Sequence, residues 1–290
     1  MNINGIDVSH HNDINWIYLS GIWQTQNLYF IYFKATQGDK FVDSAFNKSW
    51  ANVLDHGFLR GAYHFLDPNK DPVLQAQHFA SVVGNLQPGD FPPVADVEWL
   101  YYKAKGPDQW DNFSAKERVQ ILNAFLAEAE TLFGQKLVIY THPVFWRDSI
   151  LNGNTEEEYK QLSENPLWMV NLTGNTFIPI PWLKATFVQN HFGEKPRNAE
   201  PLEKLDQDYF NGTTLDLLNF CIPGKSFQRG DPKSAIIRDM QQSLKNRGFY
   251  RYILDGDFSK KTEAAVIAFQ EQKGLEQTGI IKLSTWRLLI

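Results

Sequence analysis

The feature that most narrows the fold is an alternation running through the first 220 residues. Short apolar runs of strand length, at 4–8, 29–35, 59–65, 93–98, 136–141, 167–171, 185–190 and 204–209, are separated early on by stretches of helical periodicity at 15–24, 43–56, 72–83 and 115–133. In the last of these, Val119, Leu122, Phe125, Leu126, Ala129 and Leu132 form one apolar stripe, and Ser114 stands where an N-cap is needed. Strands that alternate with helices form parallel sheets, because each parallel pair requires a long crossover. About eight strands favour a closed β/α barrel over an open sheet, and the scarcity of helical patterns after residue 133 predicts an irregular, TIM-like one.

The pattern breaks near residue 223. The segment from Pro223 to Pro232 is rich in turn formers and has no periodicity, so it reads as a linker. Beyond it lies a separate core pattern. Ile236, Ile237, Met240 and Leu244 mark one helix stopped by Gly248; Asp255-Gly256 makes a turn; Ser259 caps a second helix burying Ala265, Val266 and Phe269. Gly274-Leu275 ends that helix, and Ser284 is placed to cap a third that contains Trp286 and Leu289. The expected organisation is a β/α barrel over 1–222, a linker over 223–232 and an all-α three-helix module over 233–290.

Composition removes several function classes. The lone Cys221 excludes an intramolecular disulfide framework, and its neighbours Leu217, Leu218, Phe220 and Ile222 predict a packed thiol. No run approaches the roughly 18 apolar residues that span a bilayer. The N-terminus lacks a basic segment followed by an apolar run, so a Sec-type signal peptide is not expected. The charge is uneven: residues 225–290 carry 12 Lys/Arg against 7 Asp/Glu, a net of +5, within a chain of net −5. A basic tail beside an acidic body suits a polyanionic surface, and no stripe of the nucleic-acid-binding kind is present. Aromatic residues make up 14%, with nine Trp, enough to line a sugar cleft as well as a core.

The chemistry concentrates in Phe91-Pro92-Pro93-Val94-Ala95-Asp96-Val97-Glu98-Trp99. If 93–98 is a strand, Asp96 and Glu98 face the same way with Cα atoms roughly 6.5–7 Å apart. Carboxyls that close cannot ionise independently, so one is held protonated and can serve as an acid. Glycoside hydrolysis needs this division, an acid for the leaving oxygen and an anion for the developing positive charge. Asp7 ends the first strand candidate and Asp206 lies in the last, and the first and last strands of a closed barrel are neighbours. Four acids then converge on one mouth, an arrangement that repulsion opposes unless a reaction requires it. His10 and His11 are adjacent and face opposite sides of a strand, which disfavours a shared metal; no His-Glu-x-x-His, Cys cluster, phosphate loop or Gly-x-Ser-x-Gly elbow occurs. We therefore expect no metal and no cofactor. Lys34, Tyr63, Trp99, Tyr140, Trp168 and Gln189 are candidate sugar contacts, and His64 reads as a hydrogen-bonded barrel residue.

Gly5-Ile6-Asp7-Val8-Ser9-His10-His11, Phe33-Lys34-Ala35-Thr36-Gln37-Gly38, Gly61-Ala62-Tyr63-His64-Phe65, Asp96-Val97-Glu98 and Leu205-Asp206-Gln207-Asp208-Tyr209-Phe210 together resemble the glycoside hydrolase family 25 lysozymes in order and spacing, over residues 2 to about 222. The resemblance implies N-acetylmuramidase activity on the β-1,4 bond after N-acetylmuramic acid. It implies that Glu98 is the general acid, that Asp96 steadies the substrate's 2-acetamido group, and that Asp7 and Asp206 are the remaining acids of the cleft. It also favours a substrate-assisted route with retention, which strand spacing alone leaves open. Two departures, Gln37 in place of Glu and Val188-Gln189 in place of Trp-Gln, are read as subsite differences, and Thr155-Glu156-Glu157-Glu158-Tyr159-Lys160 as an inserted, solvated helix face.

The tail resembles a three-helix peptidoglycan-binding domain through Met240-Gln241-Gln242-Ser243-Leu244, Asp255-Gly256-Asp257-Phe258 and Thr262-Glu263-Ala264-Ala265-Val266. The expected partner is therefore bacterial peptidoglycan, met by a monomer, with neither nucleic acid nor membrane as a ligand. The protein is expected to be made in the cytoplasm and to act on the wall after release as a phage endolysin or delivery as an antibacterial effector. Two other readings are a chitinase-like hydrolase, whose motif wants acids where Phe91 and Val94 stand, and a non-catalytic wall-binding protein, against which the retention of four acids speaks.

Overall fold

The computed structural model describes residues 2–174, 177–193 and 201–289. Its strands are β1 (Ile3–Val8), β2 (Leu28–Gln37), β3 (Phe41–Val42), β4 (Leu59–Phe65), β5 (Val94–Asp96), β6 (Val138–Thr141), β7 (Leu167–Val170), β8 (Phe187–His191) and β9 (Asp206–Phe210). They pair in the order β1-β9-β8-β7-β6-β5-β4-β2, and β1 pairs with β2 to close a ring of eight, while β3 adds a hairpin to β2. The expected closed barrel is present. One strand departs from the parallel pattern: β9 runs antiparallel to both β8 and β1. An antiparallel neighbour needs only a short return and no crossover helix, and β9 therefore enters from the end of the barrel where β1 leaves, bringing Asp206 directly opposite Asp7.

The early crossovers are regular because their ends are chemically marked. Helices α1 (Trp16–Gln26), α2 (Phe46–Asn52), α3 (Pro72–Val83) and α4 (Ala115–Phe133) follow the first strands. The Asp71 side chain accepts from the Val73 and Leu74 N–H groups, with Pro72 at the first helical position. Ser114 and Glu117 form a reciprocal capping box, and Gly134 closes α4 with φ 70°. Later connections shrink to Pro143–Phe145, the wider turn Trp146–Leu151 and the short helix Glu156–Tyr159, which makes the barrel irregular as expected. Glu156–Tyr159 has no buried residue and its end is fixed by a Thr155–Glu158 box, in keeping with a solvated face.

Aromatic rings fill the barrel: Phe30, Tyr32, Phe91, Trp168 and Phe187 form a contiguous cluster, with Tyr32 stacked on Phe91 at 5.4 Å and 16°. Gly5 is required there, since a Cβ at that position would lie 2.1 Å from Phe30 Cε2. The alternation expected for 93–98 is cut short: β5 stops at Asp96, and Glu98 lies beyond the strand. The extended path nevertheless persists, because Val97 N–H donates to Tyr140 O at 2.9 Å and Thr141 Oγ1 donates to Val97 O at 2.8 Å. His64 faces away from the cleft, fully buried, stacked on Phe125 and bonded to Thr36 and Gln75. Cys221 is buried with its thiol donating to Leu217 O.

The C-terminal helices Ala235–Asn246 and Lys260–Gln272 bury the residues the pattern picked out. The third, Leu283–Arg287, is preceded by Lys282, so Ser284 lies inside the helix and does not cap it. Ser226–Phe227, inside the segment read as a linker, forms a strand paired with Ile281–Lys282; Phe227 is buried and meets Trp286 edge-on. Local periodicity could not show this, because the partner strand is some fifty residues away. The helical module packs against the barrel. Tyr29 and Thr214 hydroxyls donate to Asp239 Oδ2 at 2.7 and 2.6 Å, and Arg238 donates to Gln24 O and Asn27 Oδ1 at 3.0 and 2.9 Å. Asn27 and Tyr29 mark the start of β2, so the module sits at the barrel end opposite the C-terminal strand ends that carry Asp7 and Asp96.

Candidate active site

A cavity of about 250 Å³ opens at those C-terminal strand ends, the face where barrel enzymes build their sites. Its lining includes Asp7, Lys34, Tyr63, Asp96, Glu98, Tyr140, Trp168, Gln189 and Asp206. Nine of the ten residues singled out from sequence are thus brought together, Glu98 from just past the end of β5 and the others one each from strands β1, β2, β4, β5, β6, β7, β8 and β9. Trp99 is the exception. It packs against His142 and Phe145, with ring centroids 5.0 and 5.5 Å away, and takes no part in the lining. The chain bends at Glu98, past the end of β5, and of these two neighbours only Glu98 turns into the cavity.

Each acid is held by identifiable bonds. Asp7 Oδ2 accepts the Gln189 amide at 2.7 Å, and Gln189 is oriented by the Tyr140 hydroxyl, which donates to Oε1 at 2.6 Å. Asp206 Oδ1 accepts Gly193 N–H at 2.6 Å, and a Cβ on Gly193 would meet Lys204 O at 2.4 Å, so only glycine fits this close approach. The indole of Trp110 donates to Glu98 O at 2.9 Å and anchors the backbone of the acid past the strand end. Asp96 is 6% exposed, and its Oδ1 is buried with no hydrogen-bond donor among the described residues.

Burial, more than anything else, shapes the electrostatics. It pushes Glu98 up to about 7; the Lys34 ammonium opposes this and Asp206 adds to it. Asp7 rises to about 8 through burial and the neighbouring Asp206, against the pull of the Gln189 and Asp208 hydrogen bonds. Asp96 is raised by burial and then by Glu98, with Lys34 again opposing, and Asp206 is raised by burial against its bond from Gly193. Lys34, whose own pKa is lowered by burial, lies beside Asp96, Asp43 and Glu98. Its amine donates to Gln37 Oε1 at 2.8 Å and rests 4.7 Å above the Phe65 ring. In the cleft it stands as a counter-charge to the acids, a place the sequence reading did not give it.

Sequence reasoning missed Asp208, a fully buried acid beneath Asp7, and Phe65, Phe192, Ser9 and His11 on the cavity wall. Asp208 stood in a quoted motif, but nothing in hydropathy or spacing separates a buried carboxyl from a solvated one. Trp168, taken as a sugar contact, is 2% exposed, and its indole nitrogen is engaged by Asp208 at 3.0 Å, so most of its surface is spent on packing. A second, shallower groove lies on the C-terminal module, where Arg251, Tyr252, Lys260 and Lys261 flank Ala264 and Ala268.

Residues 6–189 match the sequence profile described as glycosyl hydrolases family 25, and residues 233–289 match that of a putative peptidoglycan binding domain. The uncharacterized protein YegX of Escherichia coli K12 is 32% identical over 171 residues, 58% of this chain and 56% of YegX, so the match spans little over half of that relative. Lysozyme M1 of Streptomyces globisporus is 29% identical over 220 residues, covering 74% of this chain and 70% of that protein. Among solved structures, a bacterial lysozyme from Streptomyces coelicolor superposes with a TM-score of 0.64 at 26% identity, over 76% of this chain and 97% of the other.

Proposed function

The chain belongs to glycosyl hydrolase family 25, and from that premise we propose that it is a muramidase that cleaves the β-1,4 bond after N-acetylmuramic acid in bacterial peptidoglycan. The observation that carries this reading is the pair Asp96 and Glu98 in one cavity, lined among the described residues by two further acids and one lysine, Lys34. The proteins this chain resembles include lysozyme M1, a muramidase from Acremonium alcalophilum and a bacterial lysozyme, and their names support the same substrate class.

The chemistry follows from the protonation states. Glu98, raised to about 7, still holds its proton in mildly acidic to neutral solution and can donate it to the leaving glycosidic oxygen. The buried, unpartnered Asp96 Oδ1 is an acceptor in want of a donor, and the N–H of a 2-acetamido group supplies one. With that N–H held, the acetamido oxygen attacks the anomeric carbon as the C–O bond breaks, and Asp96 stabilises the positive charge of the oxazolinium ion. Glu98, now a carboxylate, then takes a proton from the water that reopens the ring. Two inversions at one carbon give net retention. Lys34 limits how many of the crowded acids stay neutral, and Asp7 and Asp206 hydrogen-bond the sugar from the far wall.

The C-terminal module is read as a wall anchor. Its match to a peptidoglycan-binding profile and the cationic groove at Arg251, Lys260 and Lys261 support this. We place the protein's action at the bacterial wall, reached by release or delivery as an endolysin or an antibacterial effector. The reading is tested by clearing of purified walls with Glu98→Gln as control, joined to NMR of the first products: retained β-anomers agree with the route above, whereas initial α-anomers reject it.

A further inference from the structure

The floor of the cleft holds an acid that the reaction above does not use. Asp208 shares a face of β9 with Asp206 but lies deeper, 1% exposed and outside the cavity lining. Strand register sets it opposite Gly5 of β1 and Gln189 of β8, whereas Asp206 is opposite Asp7. Trp168 Nε1 donates to Asp208 Oδ1 at 3.0 Å, and Oδ2 is buried with no donor among the described residues. Because Gly5 pairs with Asp208 and Asp7 with Asp206 across antiparallel β1 and β9, the Asp7 and Asp208 side chains share one face on a cross-strand diagonal, within reach of a carboxyl–carboxyl hydrogen bond.

Ionised carboxylates only accept, so a hydrogen bond between two of them requires a proton. Its location follows from the surroundings. Among the described residues, the groups that act on or feel Asp208 are Asp7 on β1, Asp206 on β9, Trp168 on β7, Tyr140 on β6 and Tyr32 on β2, none of them a cation. A carboxylate there would be buried without a counter-ion, the costliest setting for a charge. Asp7, by contrast, reaches the cavity and already receives the Gln189 amide. We propose that Asp208 is a permanently protonated carboxylic acid that donates its O–H to Asp7 and thereby fixes the Asp7 carboxyl toward the cleft. The proton resides on Oδ2, the oxygen that otherwise has no partner. Burial raises the Asp208 pKa well above the usual carboxylate range, and the neighbouring Asp7 raises it further. Asp208 is a positioning residue: it supplies a donor at the base of the site without adding another negative charge. What Asp7 is held for rests on the muramidase reading; where the proton sits does not.

An asparagine at 208 keeps an N–H for Asp7 and an oxygen for Trp168. Asp208→Asn is expected to keep kcat within about threefold of wild type, with the same pH profile, because it copies the neutral acid. Asp208→Leu removes the donor and is expected to lower kcat by about tenfold or more and to displace the pH profile, with a smaller change in KM. Infrared difference spectra of wild type minus Asp208→Asn at neutral pH should show the carbonyl stretch of a protonated carboxyl and unchanged carboxylate bands. Loss of carboxylate absorbance instead, or an inactive Asp208→Asn that folds normally, overturns the proposal. So does a folded Asp208→Leu with wild-type rate and profile; if that variant does not fold, the asparagine variant and the infrared band decide. A protonated-carboxyl band in a protein that never cleaves walls would confirm the proton on Asp208 and refute only the muramidase reading.

Discussion

Glu98→Gln should abolish turnover and at the same time stabilise the protein, by an amount that grows with pH. The wild-type side chain shifts from the ordinary Glu value of 4.5 to about 7 on folding, chiefly through burial. A raised carboxyl pKa means that the folded state binds more protons than the unfolded chain, so stability is full below the unfolded value and is lost as pH climbs through the folded one. Linkage puts the cost of charging this one group at about 1 kcal/mol near pH 5 and about 3 kcal/mol near pH 8. Glutamine has the same shape and no charge, so it escapes the whole penalty, and Asp96 is relieved of a charged neighbour in the same direction. Urea unfolding followed by Trp fluorescence at about pH 5 and about pH 8 measures the difference, and the remaining acids titrate in both proteins. Equal stabilities at the alkaline pH, or a less stable glutamine variant, would refute the electrostatic account of the cleft.

Other consequences are independent of that one. Asp96→Asn should lower kcat by about 100-fold or more with KM nearly unchanged, since its unpartnered oxygen serves the developing charge; a pure KM effect would contradict this. The rate on purified walls should fall on the alkaline side around the Glu98 value of about 7, as the acid loses its proton, and a plateau extending well above it would exclude Glu98 as the donor. Asp90→Ala leaves the buried Arg60 guanidinium without the carboxylate it holds at 2.7 Å and should cost about 3–5 kcal/mol in urea unfolding. Arg251→Glu combined with Lys261→Glu should reduce co-sedimentation with purified walls at low salt while leaving cleavage of short soluble glycans unchanged.

How much of this could be read from the chain depended on whether the cause was local. Strand β4 and helices α3 and α4 lie on the ranges expected, 59–65, 72–83 and 115–133, because Asp71-Pro72, Ser114 and the glycines 84 and 134 mark their ends chemically. Asp7, Asp96, Glu98 and Asp206 were legible as one site because closure of a barrel makes first and last strands neighbours. What escaped was set by distant partners. The antiparallel sense of β9, the pairing of Ser226–Phe227 with Ile281–Lys282 and the outward turn of Trp99 toward Phe145 leave no trace in periodicity. Asp208 escaped for another reason: a buried acid violates the hydropathy pattern by which burial is inferred, and only the Trp168 and Asp7 contacts reveal it.

The central claim, that the converged acids hydrolyse glycan strands on the muramic acid side, is tested most directly by mass spectrometry of digested and borohydride-reduced sacculi. The account predicts new fragments ending in reduced N-acetylmuramic acid with wild type and none with Glu98→Gln. Fragments ending in reduced N-acetylglucosamine, or undiminished release by the variant, would contradict it.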